Sequence, residues 1–386
     1  MINKNIFFLA LLIVGANSII AQSIVIKNAT IYNGLDNSPF TGNILIEDGL
    51  IKKVSESLLQ GDKVIDVNGK IVTPGFIAPG TEIGIVEIGS LSVTRDDESN
   101  IYNIGFSIHD AFNPNSTLIP WNRSNGITSA ITLPRNTSSP IGGLGSFFVL
   151  DSNLNVDSKQ DMVMIGRIGG SGSSSRSEML SLTDDILSFA SSISSKDIRT
   201  NLDIDSLIDS SSIADYLELK PRDIKALYKL ANENLPLIIK SNRASDILKL
   251  IELKKKYNLN LIIMDAQEAS LVADQIADSK IPLIINPINN IPNSFDELAA
   301  NKNLSSRLEN AGVLMMFNYG SHNSHLMRQG AGIAVANGMS YGGAIRALTS
   351  NVASSFNLEN RGSISPGKAA DLVIWEADPL EPSSMP

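Results

Sequence analysis

The order of apolar runs between residues 75 and 349 constrains the fold more than any other feature of this sequence. Short runs with the β-branched composition of strands alternate there with longer stretches in which apolar residues recur at helical spacing. Eight strand-like runs occur, at residues 75–83, 127–133, 146–150, 162–168, 235–240, 259–264, 281–285 and 313–317. Alternating strands and helices form parallel sheets, and eight such units close a barrel within about 250 residues. The sequence therefore predicts an α/β fold, a (β/α)8 TIM-type barrel over residues 73–360.

Helical spacing is clearest in the second half of this region. It predicts helices at residues 244–257, 270–278, 296–310, 323–337 and 340–349. Gly338 is expected to end one of them and Ser340 to cap the next, because Gly tolerates the left-handed backbone and a Ser hydroxyl accepts free helix N–H groups. Residues 171–212 are rich in Ser and Asp. That composition predicts a long surface excursion, partly helical around residues 184–190.

The two ends of the chain share a different pattern, of short β-branched runs separated by turn residues. Near the N-terminus the breaks include Asn33-Gly34 and Asp48-Gly49, and near the C-terminus a Pro-Gly turn precedes the apolar run 371–375. Neither segment is long enough to bury a sheet face alone. We expect residues 22–72 and 361–386 to form one composite β-sandwich beside the barrel.

The first residues have the three-part pattern of a secretory signal peptide. A cation at Lys4 precedes the apolar run 6–14, and small residues lead to Ala21. Residues 1–21 are therefore predicted to be a signal peptide, and the protein to be secreted or periplasmic; a buried or membrane-anchoring helix is the alternative. No later run is long and apolar enough for a stable membrane span. The absence of Cys excludes disulfides and thiolate metal ligands.

Charge and size limit the class of partner. The 386 residues carry a formal net charge of −9, and Lys and Arg are spaced as on an ordinary surface. Binding to a nucleic-acid backbone depends on a concentrated basic stripe. We therefore expect no nucleic-acid partner.

Two passages at opposite ends of the barrel region resemble a known family. Residues 68–77 read NGKIVTPGFI, and residues 344–351 (AIRALTSN) are followed at 361–375 by RGSISPGKAADLVIW. Together they resemble the amidohydrolase superfamily, including imidazolone-propionases and dihydropyrimidinase-like enzymes. The resemblance implies a barrel with a composite β-domain. It also implies hydrolysis of C–N bonds in amides or cyclic amides by one or two divalent metals, which activate a bound water.

The chain departs from the family where the first metal ligands are expected. The family continues the first passage into Asp-x-His-x-His, whereas this sequence reads APGTE at residues 78–82. Gly80 and Glu82 therefore stand at the two histidine positions, and of these only Glu82 carries a ligand atom. The resemblance is to a degenerate branch that lacks the His-x-His metal motif.

The later ligand positions depart in the same way. Lys240 stands where the resemblance implies a histidine or a carbamylated lysine. The next strand is followed by Asp265 and Glu268 instead of a histidine, and residues 313–321 contain no carboxylate where an aspartate is implied. Glu82, Lys240 and Glu268 remain as candidate catalytic groups.

The chain has three histidines, and two of them lie three residues apart after the last strand-like run. His322 and His325 would share one helix face at the barrel mouth, where with Glu82 or Glu268 they would make a three-ligand site for a single non-standard divalent metal such as zinc. The alternative is a helix cap, a solvated ring and no metal cofactor. His109 is expected to be structural.

Two arginines are candidate substrate-binding residues. Arg135 follows the second strand-like run, and Arg328 lies one helical turn beyond His325. A guanidinium at the mouth could bind a substrate carboxylate through two parallel hydrogen bonds. A structural salt bridge or a solvated side chain is the alternative for each.

Two functions from different classes follow. One is a hydrolase of non-peptide C–N bonds with a rebuilt site, as the resemblance implies. The other is a pseudoenzyme, a non-catalytic binding or partner subunit that retains the amidohydrolase fold, because fold alone does not fix function. The expected partner is a small-molecule ligand or an amidohydrolase paralogue, in a homo- or hetero-oligomer.

Overall fold

The computed structural model describes residues 23–135, 139–169 and 175–386. The predicted signal peptide lies outside these residues. The described strands are β1 (Ile24–Ile31), β2 (Phe40–Glu47), β3 (Leu50–Ser55), β4 (Lys63–Asp66), β5 (Ile71–Pro74), β6 (Phe76–Thr81), β7 (Ile127–Thr132), β8 (Ile141–Val149), β9 (Ser158–Arg167), β10 (Leu237–Ser241), β11 (Leu261–Asp265), β12 (Leu283–Ile285), β13 (Met315–Phe317) and β14 (Leu372–Trp375).

The described α-helices follow the same chain order. They are α1 (Leu118–Arg123), α2 (Arg176–Ser192), α3 (Asn201–Asp209), α4 (Ser212–Tyr216), α5 (Pro221–Asn232), α6 (Ala244–Tyr257), α7 (Ala273–Asp278), α8 (Leu304–Asn310), α9 (Met327–Ala336), α10 (Tyr341–Leu348) and α11 (Ser350–Ser355). No helix in the described ranges combines the length and apolarity needed to cross a bilayer.

Strands β6 to β13 form one eight-stranded sheet in chain order, which confirms the predicted α/β barrel. All eight predicted strand runs coincide with observed strands. The sheet differs from a fully parallel barrel at β8, which runs antiparallel to both β7 and β9. Only residues 133–140 and 150–157 connect these strands, and a parallel crossover needs a dozen residues or more.

The barrel closes between its first and last strands through side chains. The Thr81 hydroxyl at the end of β6 donates to the Ser321 carbonyl at 2.8 Å, and the Ser324 hydroxyl donates to the Thr81 oxygen at 2.7 Å. These bonds bring the loop after β13 against the end of β6. Residues near Thr81 and near Ser321 therefore share one mouth.

The composite domain is a single six-stranded sheet in the order β14-β5-β1-β2-β3, with β4 also paired to β1. The C-terminal strand β14 pairs antiparallel with β5, so both ends of the chain contribute as expected. The strands of this domain bury one apolar cluster that includes Ile31, Ile44, Ile51 and Val72. The Trp375 indole donates to Thr73 Oγ1 at 2.9 Å within this sheet. Its ring also stacks on Phe76 of β6, with 5.4 Å between the ring centroids, which joins the sheet to the barrel.

Some helix predictions are confirmed and others are wrong. Helix α6 has the predicted bounds, and the Ser340 hydroxyl caps α10 by accepting the Gly343 N–H at 3.0 Å. The predicted helix 296–310 begins only at Leu304. The helix expected around residues 184–190 is confirmed as part of the longer α2. Residues 171–174 lie outside the described residues, and from residue 176 the predicted surface excursion is wrong, because α2 buries an amphipathic face that includes Ile186 and Leu187 in the main core.

Candidate functional site

The barrel interior is filled with apolar side chains. Alternate residues of each strand point inward, as in other small barrels, and they form one buried cluster that includes Ile77, Ile131, Ile165, Ile238, Ile262, Ile284 and Met316. Helix α11 closes the end of the barrel away from the site, where Val352 and Phe356 join the same cluster. Polar chemistry is therefore confined to the opposite end, where the parallel strands have their C-terminal ends.

The last inward positions of the strands define the mouth. They are Leu133 after β7, Arg167 on β9, Lys240 on β10, Met264 on β11, Asn286 after β12 and Asn318 after β13. Leu133 and Met264 are buried and apolar, whereas Arg167 and Lys240 are half-buried cations. The mouth thus has an apolar side and a cationic side.

Gly80 occupies the apolar side. Its φ of +98° is in the left-handed region, and a Cβ added there would lie 2.4 Å from the Met264 methyl carbon and 3.1 Å from Leu133 Cδ1. The space that a side chain at position 80 would occupy is filled by the apolar side chains of Met264 and Leu133. A residue larger than glycine cannot be placed here without moving Met264.

Glu82 is bound by an arginine. Arg95 Nη2 donates to Glu82 Oε1 at 3.0 Å and to Asp97 Oδ2 at 2.5 Å, and Arg95 Nε donates to Asp97 Oδ1 at 3.1 Å. The side chain of Asp97 is fully buried. The hydrogen bond to Asp97 raises the pKa of Arg95, as does the negative charge of Glu82, while burial opposes both. The charge of the Glu82 carboxylate is thus balanced by Arg95, a cation of the chain itself.

His322 and His325 lie near this cluster. His322 Nδ1 is buried, 3.8 Å from Glu82 Oε2, and makes no hydrogen bond in the described part of the chain. His325 Nδ1 accepts the Trp121 indole N–H at 3.1 Å. Burial lowers the pKa of His325, and the charges of Arg328 and His322 lower it further.

The predicted zinc site is not assembled. Across residues 23–135, 139–169 and 175–386, no three His, Asp or Glu side chains form a group that could hold a metal ion. The physical reason is that each partner is engaged elsewhere: Glu82 with Arg95, His325 with Trp121, and Glu268 with backbone N–H groups. His109 is structural as expected, since it stacks on Phe148 and its Nε2 bonds Ser158 Oγ at 3.0 Å.

Glu268 is a helix cap. Its Oε2 accepts the Ala244 N–H at the start of α6 at 3.0 Å, and its Oε1 accepts the Ala299 N–H at 3.2 Å. Both carboxylate oxygens are thereby used to satisfy backbone donors, which is a stabilising arrangement at a helix N-terminus. The geometry gives Glu268 a structural role rather than the catalytic role that the sequence suggested.

Arg328 also has a structural role. The residue is buried, and Nη1 donates to the carbonyls of Pro379, Glu381 and Ser384 at 2.9 to 3.2 Å. Nη2 donates to the Pro382 carbonyl and to Asn125 Oδ1. These contacts fix the C-terminal turn against the barrel and occupy the guanidinium that was expected to bind substrate.

Arg135 lies at a cavity beside the mouth. Nη1 donates to Glu98 Oε2 at 3.1 Å, and Nε lies 3.7 Å from Asp97 Oδ2. It lines a cavity of about 530 Å³ between the loop 98–106, α2 and the start of α5. The side chain is half exposed, so it remains accessible to a ligand in that cavity.

Asp265 lies next to the cationic side of the mouth, which Lys240 and Arg167 form. Ser241, next to Lys240, pairs with Asp265 across β10 and β11. Burial raises the pKa of Asp265; the charge of Lys240 opposes this shift and that of Glu297 adds to it. Asp265 and Ala266 have φ values of +75° and +49°, and such strained backbone is concentrated at functional sites.

Lys240 was a candidate from the sequence and Asp265 was noted after its strand, whereas Arg167 and Arg95, which the structure places at the mouth, were not among the candidates. Arg167 could have been found from strand alternation, since it follows Ile165 by two residues. Arg95 carried no such signal. It lies in the loop between β6 and β7, and only the fold brings it to Glu82.

Comparison with known proteins agrees with this architecture. The Amidohydrolase family model matches residues 240–385. The dihydropyrimidinase of Dictyostelium discoideum is 36% identical over 77 residues, 19% of this chain and 15% of that protein. The 5'-deoxyadenosine deaminase of Methanobrevibacter smithii is 37% identical over 66 residues, 17% of this chain and 15% of that protein. The matched segments thus span well under a fifth of these relatives.

Solved structures extend the likeness to the whole chain. An amidohydrolase from Thermotoga maritima superposes with a TM-score of 0.78 at 24% identity, over 94% of this chain and 96% of that one. The L-hydantoinase (dihydropyrimidinase) from Arthrobacter aurescens gives a TM-score of 0.54 at 13% identity, over 92% and 87% of the two chains. The resemblance and the barrel fold inferred from the sequence are both confirmed.

Proposed function

We propose that this chain, which has the amidohydrolase fold and matches the Amidohydrolase family over residues 240–385, is a ligand-binding pseudoenzyme without metal-dependent hydrolysis. One observation carries the proposal. The strand position that bears a metal-binding histidine in the family is Gly80, and the Met264 methyl group fills the adjacent space.

The residues present do not fit the family's metal. Hydrolysis of this kind needs a divalent ion held by several nitrogen or oxygen ligands, with a bound water of lowered pKa. Gly80 offers no ligand, and Met264 offers a thioether, which suits soft ions better than zinc in an oxygen and nitrogen site. No step of a metal-assisted reaction can be derived from this donor set.

Arg95 supports the same reading. A carboxylate retained for a metal should be free to coordinate it, but Glu82 is paired with a guanidinium that also binds the buried Asp97. Removing Arg95 from this network would leave the buried Asp97 with the longer 3.7 Å contact to Arg135 Nε as its ion pair among the described residues, which is costly in a protein interior. The local charge is thus balanced without a metal ion.

A second candidate function is hydrolysis of a non-peptide C–N bond by a rebuilt site. Lys240 and Asp265 favour it, because a half-buried lysine beside a carboxylate of raised pKa is a typical acid–base arrangement. For such a hydrolase, Lys240, alone or carbamylated, takes the place of the metal ligands that the chain lacks.

Metal content and turnover test the two candidates. The mature protein, expressed in zinc-supplemented medium, is analysed by inductively coupled plasma mass spectrometry and assayed with dihydrouracil and hydantoin. The pseudoenzyme predicts substoichiometric metal and no hydrolysis above buffer. Stoichiometric metal, or hydrolysis lost in Lys240→Met and kept in the surface variant Lys249→Met, would overturn it.

Export of the protein and association with an amidohydrolase paralogue belong to the same proposal. The N-terminal Lys4, the apolar run 6–14 and the small residues before Gln22 support export. Mass measurement of protein from the periplasm or medium tests it, since an intact Met1 on cytoplasmic protein would exclude signal cleavage. Co-purification from the native cell followed by mass spectrometry tests the paralogue.

A further inference from the structure

Arg167 and Lys240 are neighbours on adjacent parallel strands. They are Cα partners in the pairing of β9 with β10, and such strands lie about 4.8 Å apart. Ile165 and Ile238, two residues earlier on the same strands, belong to the apolar cluster inside the barrel. Strand alternation therefore directs both cationic side chains to the inside of the mouth.

The two cationic side chains make no direct hydrogen bond or ion pair with the part of the chain that the structure describes. Like charges side by side on one sheet face destabilise each other. A pair of this kind, kept on an inward face, is expected where a negative group from outside the chain joins them.

The carboxylates around this pair are mostly engaged with other groups. Asp246 and Asp296 bind Arg176, and Glu297 accepts the Asn242 side-chain amide at 2.8 Å. Asp265 acts on Lys240 across the strand pair, but its pKa is raised by burial, which weakens it as a counter-ion. Within residues 23–135, 139–169 and 175–386, no carboxylate forms an ion pair with Arg167.

A third donor lies at the mouth, at the last inward position after β13. Asn318 is 3% exposed, and its Nδ2 is buried with no hydrogen-bond partner among the described residues. This Nδ2 lies 3.8 Å from the position that a Cβ on Gly80 would take, on the side of the mouth where Met264 also lies. A buried donor without a partner is costly unless a ligand or water satisfies it.

From these placements we infer that Arg167, Lys240 and Asn318 form a binding site for a small oxyanion, a carboxylate or a phosphate group of a small molecule. The planar guanidinium can bind two oxygens of such a group, the ammonium supplies a point charge, and the carboxamide donates a further hydrogen bond. Met264 and Leu133 lie beside these donors and offer an apolar surface to the rest of the ligand. This inference rests on the proposed binding function and specifies its ligand class.

Calorimetric titration of the full mature chain tests the site. Glutarate and inorganic phosphate are the two probes, in a low-salt Tris buffer, and the uncharged glutaramide is the control ligand. We expect one equivalent of at least one anion to bind and glutaramide not to bind. Binding of glutarate alone identifies a carboxylate site, and binding of phosphate alone identifies a phosphate site.

Variants locate the site within the mouth. Arg167→Gln and Lys240→Gln should each weaken anion binding about tenfold or more, since each removes one charge-assisted hydrogen bond. Arg167→Lys should retain part of the affinity. Lys249→Gln is the matched control, because Lys249 lies on the exposed face of α6 and pairs with Glu252. Circular dichroism and the thermal midpoint confirm that each variant is folded.

Failure of this inference can be told apart from failure of the proposed function. A metal-free, inactive chain that binds neither anion, or that binds them equally well as Arg167→Gln, overturns only the oxyanion site. Stoichiometric metal or hydrolysis overturns the pseudoenzyme proposal, whatever the anions do.

Discussion

The two sides of the barrel mouth balance their charges in different ways. On the β6 side, Glu82 and the buried Asp97 share the guanidinium of Arg95. On the β9–β10 side, Arg167 and Lys240 stand next to each other without an ion pair in the described residues. The β6 side, where the sequence resemblance implied the first metal ligands, is closed by contacts within the chain. The other side carries charge that no ion pair among the described residues neutralises.

The charged groups on the two sides of the mouth should therefore contribute differently to stability and to ligand binding. Groups that are fully paired inside a protein mainly determine whether it folds, whereas unpaired charge costs stability and is explained by function. Substitutions on the β6 side should therefore lower stability strongly. Substitutions on the β9–β10 side should leave stability nearly unchanged and alter ligand binding instead.

The largest effect is expected for Asp97→Ala. It leaves Arg95 as a nearly buried cation with a single remaining carboxylate partner, so we expect a loss of about 3–5 kcal/mol in the free energy of unfolding. Urea denaturation monitored by tryptophan fluorescence measures it. Glu98→Ala is the control, because that exposed partner of Arg135 should contribute about 0–1 kcal/mol. Equal losses in the two variants would contradict the assignment of Asp97 as the buried anchor.

The next effect concerns the apolar side of the mouth. Gly80→Ala should cost about 1–3 kcal/mol, because it combines a left-handed φ with a contact 2.4 Å from the Met264 methyl carbon. Gly49→Ala is the matched control, with a φ of +71° and no atom within 4 Å of the added Cβ. The loss of stability in Gly49→Ala therefore measures the cost of the left-handed backbone alone, without the cost of a steric contact.

A double-mutant cycle then tests the contact itself. Met264→Ala removes the clashing methyl group, so the free energy lost in the double variant should be smaller than the sum of the single losses by about 1 kcal/mol. Additive losses would show that Met264 does not fill the space beside position 80.

The sequence predicted the barrel well because strand alternation and helix periodicity are local signals. All eight barrel strands were located, and α6 was predicted with its observed bounds. The antiparallel β8 was missed, since strand direction depends on the length and path of its connections rather than on composition. In the polar segment 171–212 the sequence predicted helix only around residues 184–190. The full length of α2 was missed because one buried face, which includes Ile186 and Leu187, suffices to hold a helix with an otherwise Ser-rich surface.

The site was less predictable than the fold. Gly80, Glu82 and Lys240 were identified because strand positions transfer from a motif. The partners of Glu82, Glu268 and Arg328 lie 13 to 203 residues away along the chain, and no local pattern encodes these contacts. The structure places Glu82 and Lys240 at the mouth, whereas Glu268 caps a helix and Arg328 holds the C-terminal turn.

A smaller effect should distinguish the cationic side from a paired arginine. Lys240→Met removes a half-buried charge that has no ion-pair partner in the described residues, so the free energy of unfolding should stay constant or rise by up to about 1 kcal/mol. Arg176→Met should instead lower stability, because it leaves Asp246 and Asp296 without one of their cations. Chemical denaturation of both variants provides the comparison. A larger loss in Lys240→Met than in Arg176→Met would mean that Lys240 is part of the structural network.

The smallest effect is the pH dependence that Asp265 contributes. Its pKa in the folded protein is raised above the ordinary value of 3.8 by burial, so the native state binds this proton more tightly than the unfolded state does. The resulting stabilisation is fully present below pH 3.8 and is lost as pH rises through the folded-state pKa. Asp265→Asn imitates the uncharged form at every pH. The variant should therefore be more stable than the wild type at pH 7, and the difference should shrink toward pH 4.

Urea unfolding at both pH values measures this difference in stability, with Asp110→Asn, an almost fully exposed position, as the control for loss of one surface carboxylate. If the advantage of Asp265→Asn were instead greatest at pH 4, Asp265 would be stabilised as a carboxylate by Lys240 and Arg167, and the cationic side would already be neutralised from within, without an external anion.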